Sequence, residues 1–142
     1  MRPLLLLVST LSLAACSAPD GRQQVTEALG LDSLRDYRGQ QSGFQDTFYH
    51  ARFLATPQEI EDVVQRLDLR PAGLNEMPET VPVERFVGPS ATIDWWRPRQ
   101  ELGGGAAFSA TRYSPDSTRI VSEVTLASQP ATGVTYVEVF HP

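Results

Sequence analysis

Three runs rich in Val, Thr, Tyr and Ile occupy the carboxyl-terminal part of the chain, at residues 108–113, 119–127 and 134–140. Such residues fit a pleated surface, and these runs read as strands. Ser114-Pro115-Asp116-Ser117 supplies turn chemistry between the first two, and Gln129-Pro130-Ala131-Thr132-Gly133 joins the last two. Three consecutive strands with short joins predict an antiparallel meander. A meander needs cover for its apolar face, so the rest of the chain must supply a packing layer.

That layer is foreshadowed at Thr56-Pro57-Gln58-Glu59, where a capping threonine precedes a proline, with glutamate three residues after the cap. Ile60, Val63, Val64 and Leu67 follow at helical spacing, predicting one amphipathic helix from Pro57 to about Leu69, before Pro71. Residues 44–55 alternate instead. Thr47, Tyr49, Ala51, Phe53 and Ala55 form the better-filled face, and Phe48, His50, Arg52 and Leu54 form the other. Val25, Ala28 and Leu29 suggest a short helical stretch stopped at Gly30, with Asp32 capping a turn through Leu34 and Tyr37 and a loop over 39–43. Residues 70–106 carry many prolines and Gly103-Gly104-Gly105; they predict irregular structure with one short strand at 81–87. The expected fold is α+β: an antiparallel sheet of one N-terminal strand plus a C-terminal three-stranded meander, packed against one amphipathic helix. No internal repeat is present.

Upstream lies a different signal. Met1-Arg2-Pro3 is a short basic start, followed by an apolar stretch through Leu13 that is too short to span a bilayer. It ends in Leu13-Ala14-Ala15-Cys16-Ser17, which resembles the lipobox of bacterial lipoproteins. The resemblance covers residues 1–17. It implies cleavage before Cys16, a diacylglycerol on its thiol and acylation of the new amino terminus. With Ser17 rather than aspartate after the cysteine, it also implies the outer membrane, facing the periplasm. The domain organisation expected is then a cleaved signal peptide over 1–15, a lipidated cysteine and tether over 16–21, and a single domain over 22–142. Cys16 is the chain's one cysteine and has no partner for an internal disulfide. Acyl chains anchor stably when two or more are present.

Composition removes several classes of chemistry. The 142 residues include 12 basic side chains, none of them lysine, against 17 acidic ones. Lysine-free sequence excludes a Walker-type phosphate loop and Schiff-base catalysis. Loss of Arg2 with the leader takes the formal charge from −5 to −6. That balance argues against a nucleic-acid partner. Beyond Cys16 there is no thiol, so cysteine nucleophiles, zinc–cysteine sites and iron–sulfur clusters are excluded from the domain.

His50 and His141 lack a Gly-x-Ser-x-Gly elbow, and Ser42 near His50 carries no motif. No catalytic residues, metal site or cofactor are therefore expected. Glu59, Glu61 and Asp62 suit a helix N-terminus better than a hydrolytic carboxylate pair. Gly103-Gly104-Gly105 precedes a strand, whereas a phosphate cradle precedes a helix. Asp94-Trp95-Trp96-Arg97-Pro98-Arg99 unites both tryptophans with two arginines, the composition of binding hot spots. Alternation predicts one indole buried and one exposed, with Trp96 beside Arg97 or Arg99 on the open side. The expected binding residues are Trp95, Trp96, Arg97 and Arg99. The order of elements, with Phe53, Ile60, Val64, Trp95-Trp96 and Tyr113, resembles small uncharacterised bacterial domains. The expectation is a non-enzymatic, membrane-tethered envelope lipoprotein with a protein partner; a peptidoglycan- or carbohydrate-binding module and a small periplasmic hydrolase are the alternatives.

Overall fold

The computed structural model describes residues 19–43, 45–83 and 91–142. The lipobox with Cys16, Phe44 and the greater part of the strand expected at 81–87 lie outside them. Elements run in the order α1 (Arg22–Leu29), β1 (Arg35–Ser42), β2 (Thr47–Leu54), α2 (Pro57–Arg66), β3 (Arg70–Ala72), a 3-10 turn (Leu74–Glu76), β4 (Pro82–Val83), β5 (Ala91–Thr92), α3 (Pro98–Glu101), β6 (Ala106–Tyr113), β7 (Ile120–Ser128) and β8 (Val134–His141). The class is α+β, with a six-stranded antiparallel sheet in the order β1-β2-β8-β7-β6-β3 and a separate β4-β5 pair. Among the described residues, no helix is long and apolar enough to cross a membrane.

The sheet is larger than expected at its N-terminal side. Residues 35–42, anticipated as a turn and loop, form β1 and pair with β2 from Arg35↔Leu54 to Ser42↔Phe48. Their sequence, Arg-Asp-Tyr-Arg-Gly-Gln-Gln-Ser, shows no apolar alternation. An edge strand can form without it, because pairing to β2 supplies the hydrogen bonds that its own side chains do not predict. A bulge near the start of β1, with Asp36 at φ 48°, turns the Asp36 carboxylate toward the sheet's second strand.

Both faces of the sheet are covered. On one, Val25 and Leu29 of α1 and Ile60 and Val63 of α2 pack on Ala51, Phe53, Leu126, Val137 and Val139. Two helices, not one, make this layer. The α2 start is a complete capping box: Glu59 donates its backbone N–H to the Thr56 hydroxyl at 3.2 Å, and the Glu59 carboxylate accepts from Thr56 N–H at 2.7 Å. Such a cap contributes about 1 kcal/mol. The Thr56 amide first, then the Thr56 hydroxyl and Arg35, hold the Glu59 carboxyl below the usual range against the effect of burial. α2 ends at Arg66, earlier than the apolar stripe suggested, because Asp68 adopts φ 50° and directs the chain into β3. Arg66 then reaches back to donate to Leu29 O at the end of α1, where Gly30 closes the helix at φ 61°.

The opposite face is covered by residues from 74–83 and 91–102, a strap of short turns. Met77, Val81, Ile93, Trp96 and Leu102 pack on Ala107, Ala127 and Tyr136. Small side chains on the sheet let the strap's larger ones approach. Even the end of the expected tether is docked: Gln41 N–H donates to Pro19 O at 3.2 Å, and the Tyr37 hydroxyl donates to Asp20 O at 2.6 Å.

Candidate functional site

Strand alternation sends His50 and Arg52 of β2 to the strap side, where the register sets them opposite Glu138 and Tyr136 of β8. His50 is buried, and its Nε2 lies 2.6 Å from Glu138 Oε2. A carboxylate partner requires Nε2 to carry the proton and donate. The ring lies between Phe48, stacked at 6.1 Å, and the edge of Trp96 at 5.0 Å. His50 Nδ1 is buried with no hydrogen-bond partner. Ser42, near His50 in sequence, sits across from Phe48, not from His50. His141 emerges on the other side of the sheet, edge-on to Tyr49 at 6.1 Å, so the two histidines belong to no common site.

The tryptophans are sorted opposite to expectation. Trp96, expected on the open side, is 3% exposed and is part of the core. Its indole N–H donates to Pro78 O at 2.8 Å, and Tyr136 meets its ring edge-on at 5.1 Å. Burying an indole is favourable when its N–H finds an acceptor, and the strap provides one here. Trp95 is the half-buried member, set against Trp96 at 6.0 Å between ring centres.

Trp95 lines a hollow of about 250 Å³ together with Asp36, Arg38, Arg52, Asp94, Arg97 and Glu101. Arg52 organises its floor. Its Nε donates to Glu101 Oε2 at 2.7 Å and its NH1 to Asp36 Oδ2 at 3.1 Å. Burial opposes the Arg52 charge, but hydrogen bonding and attraction from Glu101, then Asp36, outweigh it and raise the pKa further. Tyr136 also donates to Glu101 Oε2, at 2.9 Å, and its oxygen receives Arg97 N–H at 3.3 Å. Burial first, then the bond to Glu101, lifts the Tyr136 phenol above its ordinary pKa. Arg52 thus engages both Glu101 and Asp36.

The cations at the rim are different. Among the described residues, neither Arg38 nor Arg97 forms an ion pair; Arg97 Nε donates only to Asp94 O, at 2.7 Å. Arg97 also borders a second hollow of about 390 Å³ with Arg99, whose NH1 is held by Glu79 at 3.1 Å. The structure thus brings Trp95 and Arg97 together at the first hollow, turns Arg99 to the second and removes Trp96 into the core. Compared with family models, curated proteins and solved structures, the chain matches none.

The other candidates fall to structural roles. Glu59 caps α2, while Glu61 and Asp62 hold Gln65 and Gln58 along the exposed helix. Gly105 must approach β7, since a side chain there would meet Ser128 O at 2.6 Å. No group of three His, Cys, Asp or Glu side chains suited to a metal ion occurs among the described residues. Sequence reasoning missed Asp36, Arg38, Arg52, Glu101, Tyr136 and Glu138. The one available signal was a histidine and an arginine alternating on the less apolar face of an otherwise core strand.

Proposed function

We propose that this chain is a lipid-anchored protein of the bacterial envelope, processed at Cys16, that binds another protein through Trp95 and Arg97 and performs no chemistry of its own. One observation carries the binding reading. A half-exposed indole stands beside two arginines without carboxylate partners, on a floor fixed by Arg52, Glu101 and Tyr136. Aromatic and arginine side chains bury large area while still offering directional donors, and a fixed floor reduces the ordering cost of binding. The charge of Arg38 and Arg97 favours a partner surface carrying carboxylates.

The anchor suits this geometry. Pro19 lies three residue steps beyond Cys16, and extended chain spans at most about 3.6 Å per residue, so Pro19 would stay within about 11 Å of the lipid. Pro19 is bonded at Gln41, whereas the hollow lies by Arg38 and Asp36, about 10–16 Å back along β1 at about 3.3 Å per residue. The binding face would therefore stay near the bilayer, within reach of a periplasmic or membrane-embedded partner.

The test is a cross-linking pull-down from native envelopes, comparing the anchored chain with Trp95→Ala/Arg97→Ala, with circular dichroism confirming the fold. The expected result is a specific protein captured by the wild type and reduced at least about tenfold in the variant, since paired hot-spot losses reach that size. Capture should also weaken as salt rises. Equal capture by both forms overturns the assignment. Wall glycan captured in place of protein, insensitive to salt, would support sugar stacking on Trp95 instead.

A further inference from the structure

The far edge of the sheet is only partly closed. β3 pairs with β6 at three positions, Arg70↔Ser109, Pro71↔Phe108 and Ala72↔Ala107, while β6 continues to Tyr113. The cause is local. Asp68 at φ 50° brings the chain onto the edge from the end of α2, so β3 cannot start early enough to pair further. Residues 110–113 are paired with β7 on one side and have no strand beside them on the other among the described residues. In such a strand every second residue directs its N–H and C=O outward.

A groove of about 560 Å³ lies along this open edge, bordered by Arg66, Asp68, Arg70, Thr111 and Arg112. Its charge runs against that of the molecule: three arginines face one aspartate in a chain of net charge −5. Arg66 is committed to Leu29 O, and Arg70 makes only a loose, exposed contact with Asp68 at 3.6 Å. The Arg112 guanidinium has no polar partner among the described residues. Next to the groove, and sharing Leu67, Ala110 and Arg112 with it, is a smaller cavity of about 110 Å³ floored by Ala28, Val124 and Val139. At the open end of β6, Tyr113 is 58% exposed.

We propose that this edge accepts an extended, acidic segment of a partner protein as an added strand beside residues 110–113, in line with β3. Backbone hydrogen bonds would supply affinity, Arg70 and Arg112 would pair with its carboxylates, and an apolar residue of the segment would enter the smaller cavity. A second copy of this chain is the poorer occupant. Edge-to-edge pairing would bring two arginine-bearing edges together, and like charges across a ladder are destabilising. The arginine thus guards the edge against self-pairing while selecting an acidic strand. This surface lies at the opposite end of the strand order from β1 and stands independently of the Trp95 reading.

The experiment is hydrogen–deuterium exchange on the detergent-solubilised full chain, with a short alternating Glu/Val peptide as probe. Slowed exchange across 110–113 is expected, with no such protection from an alternating Lys/Val peptide. Arg70→Glu/Arg112→Glu, both on exposed side chains, should weaken binding at least about tenfold. A Glu/Val peptide N-methylated at alternate residues keeps its charge but loses its donors, and it should not protect the edge. Absence of protection with the unmodified peptide overturns the proposal. So does equal binding of the N-methylated peptide, which would show charge attraction without strand pairing. Protection that rises with chain concentration in the absence of peptide would make the occupant a second copy.

Discussion

Trp96→Ala is expected to destabilise the fold by about 3–5 kcal/mol, a large share of the about 5–15 kcal/mol typical of a domain. The indole is 3% exposed and touches both layers it joins. It packs on His50 and Tyr136 of the sheet, and its N–H holds Pro78 within the strap. Truncation leaves a cavity and an unsatisfied carbonyl together, and the strap should loosen before the helices do. Urea unfolding followed by far-UV circular dichroism measures the loss. Trp95→Ala, at a half-exposed neighbour, should cost less than about 2 kcal/mol. Equal losses from the two substitutions would contradict the division of labour between them. The same contrast is why the binding test uses Trp95 with Arg97 and leaves Trp96 alone.

Glu138→Ala should cost about 2–4 kcal/mol, because it strips His50 of its one hydrogen bond inside the core. His50 Nδ1 already lacks a partner, so the ring would then hold two unsatisfied nitrogens between Phe48 and Trp96. Glu138→Gln retains an acceptor and should lose about 1 kcal/mol. The midpoint of urea unfolding, compared at constant slope, separates the two. A Glu138→Ala protein as stable as the wild type would contradict a structural role for the pair.

What could be read from the chain follows the physics of each segment. The start of α2 was legible because capping is local: Thr56, Pro57 and Glu59 specify it within four residues. The strands β6, β7 and β8 were legible because β-branched residues and turn chemistry agree there. β1 was hidden, since its strand state comes from pairing with β2 rather than from its own Gly39, Gln40 and Gln41. The strap was hidden for a related reason. Met77, Val81, Ile93, Trp96 and Leu102 arrive from separate turns, and no period links them.

The hollow beside Trp95 lay further from the sequence still. Asp36, Arg52, Glu101 and Tyr136 come from β1, β2, α3 and β8, and only the register brings them together. Alternation implied one buried and one exposed indole; Trp96 is buried, while Trp95 is half-buried against it. That was decided by the acceptor at Pro78 and the rings of His50 and Tyr136, none adjacent in sequence.

The central claim is that the Trp95–Arg97 face meets a protein in the envelope. Site-specific photo-crosslinking in intact cells tests it most directly, with the reactive residue placed at Arg97 and, as a control, at exposed Thr118 in the turn between β6 and β7. The account predicts one defined protein adduct from position 97, absent from position 118 and lost when Cys16→Ser removes the anchor. Identical adducts from both positions, or none from position 97 in a folded and anchored chain, would contradict it.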